Sequence, residues 1–293
     1  MRRRQFFQSS LIAVSMLTTG FSLKRNQKFE NFRSLKISLN AYSFNKQLLS
    51  GETDLFQLID FCKKHGFDAI DPTAYYFPGY PEIPNDQFIY DFKRKAFING
   101  LEISGTGIRN DFSNANKSHL EEDLKLFEAW CLVASKLGAP LLRVFPGKEI
   151  NDNRHKKAVM KQVIGELSKA CKIGEKYGVI IALQNHNEFL KTSEEIVEVL
   201  NEVNSKWLGL HLDIGSLAAR DPYKEIERLV KYAVTWQIKE WVWINNKKSP
   251  VDYARLMDII KSSGYVGYLP LETLNSDPRI NLPIMINEVR KQL

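Results

Sequence analysis

Cysteine is scarce in this chain. Three occur among 293 residues, Cys62, Cys131 and Cys171, and no two share the C-x-x-C spacing of a zinc knuckle or redox pair. Their odd number and wide separation exclude a disulfide framework, so they read as buried thiols. Contiguous apolar sequence is short as well. The N-terminal stretch from Leu11 to Leu17 and its neighbours falls below the roughly 20 residues that cross a bilayer. Long Lys/Arg runs are missing after residue 34. The net charge of +7 sits largely in residues 1–34, which carry seven Lys/Arg and one Asp/Glu, so the remainder is near +1. A duplex binder needs a clustered basic face to displace counterions, and nucleic acid is set aside as a partner. With 44% hydrophobic and 26% charged residues, the chain can bury a sizeable core.

Residues 1–34 read as a signal peptide and linker. Arg2-Arg3-Arg4-Gln5-Phe6-Phe7 precedes the short apolar stretch, and the arginine pair followed by Phe resembles a twin-arginine signal. The expectation is export to the periplasm, with membrane contact only through an uncleaved signal; no small-x-small cleavage site stands out. Export of an already folded protein agrees with the absence of disulfide pairing.

After residue 34, β-rich runs alternate with amphipathic segments. The strand candidates are Leu35–Asn45, Phe67–Tyr76, Leu101–Asp111, Pro140–Gly147, Val179–Asn187, Leu208–Ser216, Ala233–Ile244 and Tyr265–Leu274. Between the first two, Leu55, Leu58, Ile59 and Cys62 recur at helical spacing. Glycine closes several helical segments just before the next strand, as in Lys63-Lys64-His65-Gly66 and Ser135-Lys136-Leu137-Gly138. Strands joined by helices run parallel, and eight such units close into a barrel. A doubly wound sheet usually carries a glycine-rich first turn; Asn40-Ala41-Tyr42-Ser43 has no glycine. The predicted fold is α/β, a (β/α)8 TIM barrel forming one domain over residues 35–293.

In such a barrel the chemistry sits at the C-terminal ends of the strands. There the fifth strand turns polar at Gln184-Asn185-His186, and period-two alternation places Gln184 and His186 on one face. The sixth puts His211 and Asp213 together, the seventh Gln237 and Lys239, and the eighth ends in Glu272. One such residue is ordinarily a hydrogen-bonded rim group. Polar groups of this kind on four consecutive strands point to a ligand or ion, because buried charge needs partners.

The segments Leu183-Gln184-Asn185-His186, Gly209-Leu210-His211-Leu212-Asp213-Ile214-Gly215, Gln237-Ile238-Lys239-Glu240 and Gly267-Tyr268-Leu269-Pro270-Leu271-Glu272 resemble strands 5 to 8 of the sugar phosphate isomerase/epimerase (xylose isomerase-like) family. Gly66-Phe67-Asp68-Ala69-Ile70-Asp71 is similar to its strand 2. The resemblance implies a divalent ion held by Glu, Asp, His and Glu from strands 5 to 8. Here those positions are Gln184, Asp213, Gln237 and Glu272, so two match and two do not. It also implies paired glutamates acting as acid and base beside a carbonyl, with the ion polarising that carbonyl. A glutamine cannot abstract a proton, so that mechanism does not transfer unchanged. An amide oxygen is a neutral hard ligand that suits Mg or Mn, and the nearby His186 and His211 suit Zn, Co or Fe.

Two functions are expected. The first is an exported enzyme that acts on a keto-sugar or sugar derivative as an isomerase or epimerase, or as a lyase or hydratase of a 3-keto sugar. Glu272 is its base, and His186, His211 or Lys239 the partner acid. Asp71, Arg143, Asn185 and Trp241 bind the small carbohydrate, Arg143 and Lys239 being suited to an anionic oxygen. Free or glycosidic sugars fit an exported protein better than phosphorylated ones. The second is a sugar-binding pseudoenzyme that kept the barrel and lost the chemistry.

Overall fold

The computed structural model describes residues 35–150, 152–186, 188–274 and 277–293. The twin-arginine signal expected in residues 1–34 lies outside them. Eight parallel strands form the barrel: β1 (Lys36–Asn40), β2 (Ala69–Asp71), β3 (Glu102–Ile103, resumed at Thr106–Gly107), β4 (Leu141–Val144), β5 (Ile180–Gln184), β6 (Leu208–Asp213), β7 (Ala233–Gln237) and β8 (Tyr268–Leu271). The main helices between and after them are α1 (Leu55–His65), α2 (Asp86–Ile98), α3 (Lys117–Leu137), α4 (Asn153–Tyr177), α5 (Ser193–Val203), α6 (Pro222–Leu229), α7 (Tyr253–Ser262) and α8 (Pro278–Arg290).

Pairing runs β8-β1-β2-β3 on one side and β3-β4-β5-β6-β7 on the other. The third strand serves both halves. Its first piece pairs with β2 and its second, beyond Ser104-Gly105, with β4. The other seam closes through Ile238, which donates its N–H to Pro270 O (2.8 Å) and accepts from Glu272 N (2.9 Å).

Alternation along the strands separates two environments. Ile37, Leu39, Ile181, Leu183, Leu210, Leu212, Trp236, Leu269 and Leu271 are fully buried in the hydrophobic layer beneath the helices. Each large aliphatic among them contributes roughly 1.5–3 kcal/mol by leaving water. The alternate positions face the lumen and are small or polar; the Ser38 and Ser104 hydroxyls meet there at 2.6 Å.

Local chemistry fixes where the helices start and stop. Asp54 and Gln57 form a reciprocal capping box at the start of α1, and Gly66 ends it with φ 76°. Gly138 closes α3 in the same way with φ 78°. Among the described residues no helix is long and apolar enough to cross a membrane. All three cysteines are buried with free thiols.

The run Ala233–Ile244 is not one strand. β7 ends at Gln237, and Trp241–Ile244 instead pairs antiparallel with Lys247–Pro250 and parallel with Ala218–Ala219. The hairpin turns at Asn245 and Asn246, with φ of 50° and 60°, a backbone region that asparagine tolerates better than most residues.

Candidate active site

The strand ends open into a cavity of about 530 Å³, whose lining includes Gln184, His186, Gln237, Lys239, Glu272 and Arg143. Asn40 at the end of β1 and Tyr42 beyond it, Tyr75 after β2, Arg109 and Asn110 after β3, and Phe145 and Lys148 after β4 complete much of its wall.

At its floor lies a closed polar network. Asp213 is fully buried, Glu272 is 3% exposed and Lys239 7%. Asp213 Oδ2 accepts from Gln184 Nε2 (2.9 Å), Ser216 Oγ (2.9 Å) and Lys239 Nζ (3.0 Å), while Oδ1 accepts from Gly215 N (2.9 Å). Lys239 Nζ also lies 3.4 Å from Glu272 Oε1. Gln237 stands beside Glu272, and its Oε1 receives Gln184 Nε2 at 3.3 Å and His211 Nε2 at 2.8 Å. Because an amide oxygen only accepts, the His211 proton resides on Nε2.

The electrostatics follow from this wiring. Burial works to raise Asp213, but Lys239 and the surrounding donors outweigh it and hold its pKa below the usual aspartate value. Burial, seconded by Asp213, pushes Glu272 up against the pull of Lys239. Burial draws Lys239 down, yet the two carboxylates more than reverse this and keep it protonated. His211, sealed from water and near Arg143, is lowered to about 4 and is therefore neutral.

A second cluster borders the first. Arg143 donates to Ile108 O (3.1 Å) and to the Tyr75 hydroxyl, and its guanidinium lies 4.3 Å from the Phe145 ring centroid. A Cβ at Gly107 would lie 2.6 Å from Arg143 Nε, so only glycine leaves space for this side chain. Burial raises Asp71 to about 6 despite nearby Arg143, with Glu272 adding to the rise, and its Oδ1 has no hydrogen-bond partner.

The structure thus brings Gln184, Asp213, Gln237, Lys239 and Glu272 together, with His211 beneath Gln237 and His186 on the cavity wall. Four sequence-based assignments to sugar binding or proton transfer do not line the cavity: Asp71 and His211 are buried behind its wall, and Asn185 and Trp241 are engaged elsewhere. Asn185 clasps the backbone of Asp213, donating to its O (2.9 Å) and accepting from its N (2.7 Å), so both ends of its amide are used internally. Trp241 is buried at the base of the hairpin, with Lys248 Nζ 4.0 Å from its ring centroid, and it does not line the cavity. Asn40, Tyr42, Arg109, Asn110, Phe145 and Lys148 escaped the sequence reading. The signal available for them was position just past a strand end.

Residues 59–289 match the family described as Xylose isomerase-like TIM barrel. The chain belongs to this family. An uncharacterised protein of Methanocaldococcus jannaschii is 24% identical over 185 residues, covering 56% of this chain and 62% of that protein. The chain therefore spans less than two thirds of that relative's length. Among solved structures, a D-psicose 3-epimerase with D-tagatose from Clostridium cellulolyticum H10 superposes with a TM-score of 0.69 at 18% identity, covering 81% of this chain and 84% of its own. The IolI protein, solved with a bound zinc atom, superposes with a TM-score of 0.72 at 17% identity over 88% of this chain and 99% of its own.

The residues present do not fit a divalent ion as the xylose isomerase-like family would hold one. Among the described residues no three His, Cys, Asp or Glu side chains converge as a metal site. Of the four candidate ligands, Asp213 and Glu272 instead hold an ammonium between them, and Gln184 bonds to Asp213 and Gln237. Gln184 turns its NH2 inward, toward Asp213 and Gln237, rather than its oxygen. Asp213 Oδ2 already takes three donors. A cation entering here would have to displace Lys239.

Proposed function

We propose that this protein is an isomerase or epimerase-like enzyme that moves a proton at a carbon beside the carbonyl of a keto-sugar. The observation that carries the reading is Glu272, a carboxyl group buried at the floor of a sugar-sized cavity and raised in pKa by burial, 3.4 Å from a fixed ammonium. A base with an elevated pKa is matched to proton abstraction near neutral pH. The adjacent cation stabilises the enolate oxygen that develops as the proton leaves.

Each neighbour has a part. Lys239 faces the developing negative charge. His186, whose pKa is lowered chiefly by burial, stands on the wall to exchange a proton with the substrate on return. Arg143 and Tyr75 form a rigid pair on the cavity wall suited to hydroxyl or carboxylate oxygens. Support also comes from the fold shared with a D-psicose 3-epimerase, since C3 of a ketose lies beside its carbonyl. Residues 1–34 are proposed to direct export, which makes unphosphorylated sugars the better candidates; fusing them to a reporter and fractionating cells tests this.

The chemical test is solvent-deuterium exchange into a panel of free ketoses and 3-keto-glycosides. The wild-type protein should label one α-carbon, and Glu272→Gln should lose the exchange by about 10²–10⁴-fold while still binding the sugar. A second reading, a sugar-binding protein without turnover, is favoured by Gln184 standing where the family pair needs its second carboxylate. Binding without exchange in the wild type would establish that reading and end the first.

A further inference from the structure

The cavity floor carries a departure from the family's site that is consistent across several residues. Two ligand positions have lost their ionisable character at Gln184 and Gln237. A carboxylate pair, Asp213 and Glu272, remains buried at the cavity floor. Between these carboxylates lies Lys239 Nζ, 3.0 Å from one and 3.4 Å from the other.

We propose that the Lys239 ammonium takes the place of the divalent ion as the resident cation of this site, and that its presence keeps divalent metal out.

Three observations converge on it. First, the surroundings are shaped for the lysine stem: a Cβ at Gly215 would stand 2.5 Å from Lys239 Cδ, closer than any real Cβ contact. Second, Gln184 points its donor at Asp213, and Gln237 stands beside Glu272. A glutamate at either position would add a third buried carboxylate against one ammonium, so a lone cationic side chain demands neutral neighbours. The two glutamines thus suit the ammonium that stands between the remaining carboxylates. Third, Gln237 Oε1 is engaged by His211 Nε2 at 2.8 Å and by Gln184 Nε2 at 3.3 Å, so this oxygen is already occupied within the network.

The proposal takes from the functional reading only that this cavity is the working site, and its test needs no turnover. Purified full-length protein and the Lys239→Ala variant are equilibrated with Mn²⁺, Co²⁺ or Zn²⁺, and bound metal is measured by elemental analysis after dialysis. The wild type is expected to retain no stoichiometric metal. Removing the ammonium leaves two buried carboxylates uncompensated, and each glutamine can turn its oxygen inward, so Lys239→Ala should take up one equivalent. Lys239→Arg should take up none. Adding Asp213→Asn to Lys239→Ala should abolish the uptake.

A thermal scan supplies an independent reading. Mn²⁺ should raise the midpoint of Lys239→Ala and leave the wild type unmoved, since only a ligand that binds the native state stabilises it. If Lys239→Ala fails to fold, the near-isosteric Lys239→Gln takes its place in both measurements. One equivalent of metal in the wild type, lost in Asp213→Ala, would overturn the proposal. So would a folded lysine variant that gains no metal. Absence of turnover on every sugar would leave these outcomes untouched and would count only against the enzymatic reading.

Discussion

Gly215 and Lys239 are fitted to one another: a single added methyl on Gly215 would come within 2.5 Å of the lysine Cδ and 3.4 Å of Asp213 Oδ1. Gly215→Ala is therefore expected to lower stability by about 1–3 kcal/mol, as overpacking of a filled interior does. Denaturant midpoints check this. In a Lys239→Ala background the clash is gone, and the same substitution should cost less than about 0.5 kcal/mol. Equal costs in both backgrounds would break the link.

Asn185 holds both backbone polar groups of Asp213. Asn185→Ala strands a buried N–H and a buried C=O, and unfolding measurements should show a loss of about 2–4 kcal/mol. The folded variant should keep its sugar affinity, because neither end of the amide is free to reach a ligand. A selective fall in affinity with unchanged stability would return Asn185 to the binding wall.

Two buried groups give opposite pH dependences. Asp71 rises from 3.8 to about 6 on folding. Between those values the native state holds a proton that the unfolded chain has lost, so stability falls as pH increases, by about 3 kcal/mol in all. His211 drops from 6.5 to about 4. Over that window the unfolded chain binds the proton instead, and stability rises with pH by about the same amount. The two slopes nearly cancel between pH 4 and 6. Asp71→Asn should therefore make stability climb through this range, and His211→Asn should make it fall. Chemical denaturation at pH 4, 5 and 6 reads both slopes, and parallel curves for wild type and variants would refute the assignment.

The alternating apolar runs made the barrel legible, because a strand buried against helices on one face and a packed lumen on the other shows a period of two. Ile181 and Leu183 against Ala182 and Gln184 are an example. The glycine at the end of α1 was equally readable, since few residues adopt its backbone angles. The hairpin at Trp241 was not. Trp-Val-Trp-Ile is as strand-like as the barrel strand before it, and only its pairing with Lys247–Pro250 and Ala218–Ala219 shows that the chain has left the barrel. The cluster of Gln184, Asp213, Gln237 and Glu272 could be read from strand-end positions. Which end of each amide faces inward could not, being decided by contacts from other strands.

A divalent ion such as Mg²⁺ offers six coordination positions, enough to chelate two oxygens of one sugar at once. The ammonium of Lys239 has three N–H bonds, and Asp213 and Glu272 claim two. One valence is left. It can grip a single substrate oxygen but not the adjacent pair that chelation would lock, so the relative orientation of neighbouring hydroxyls is read by the walls. That shifts the discrimination between stereoisomers onto Arg143 and Tyr75, on the part of the barrel farther along the chain from the lysine.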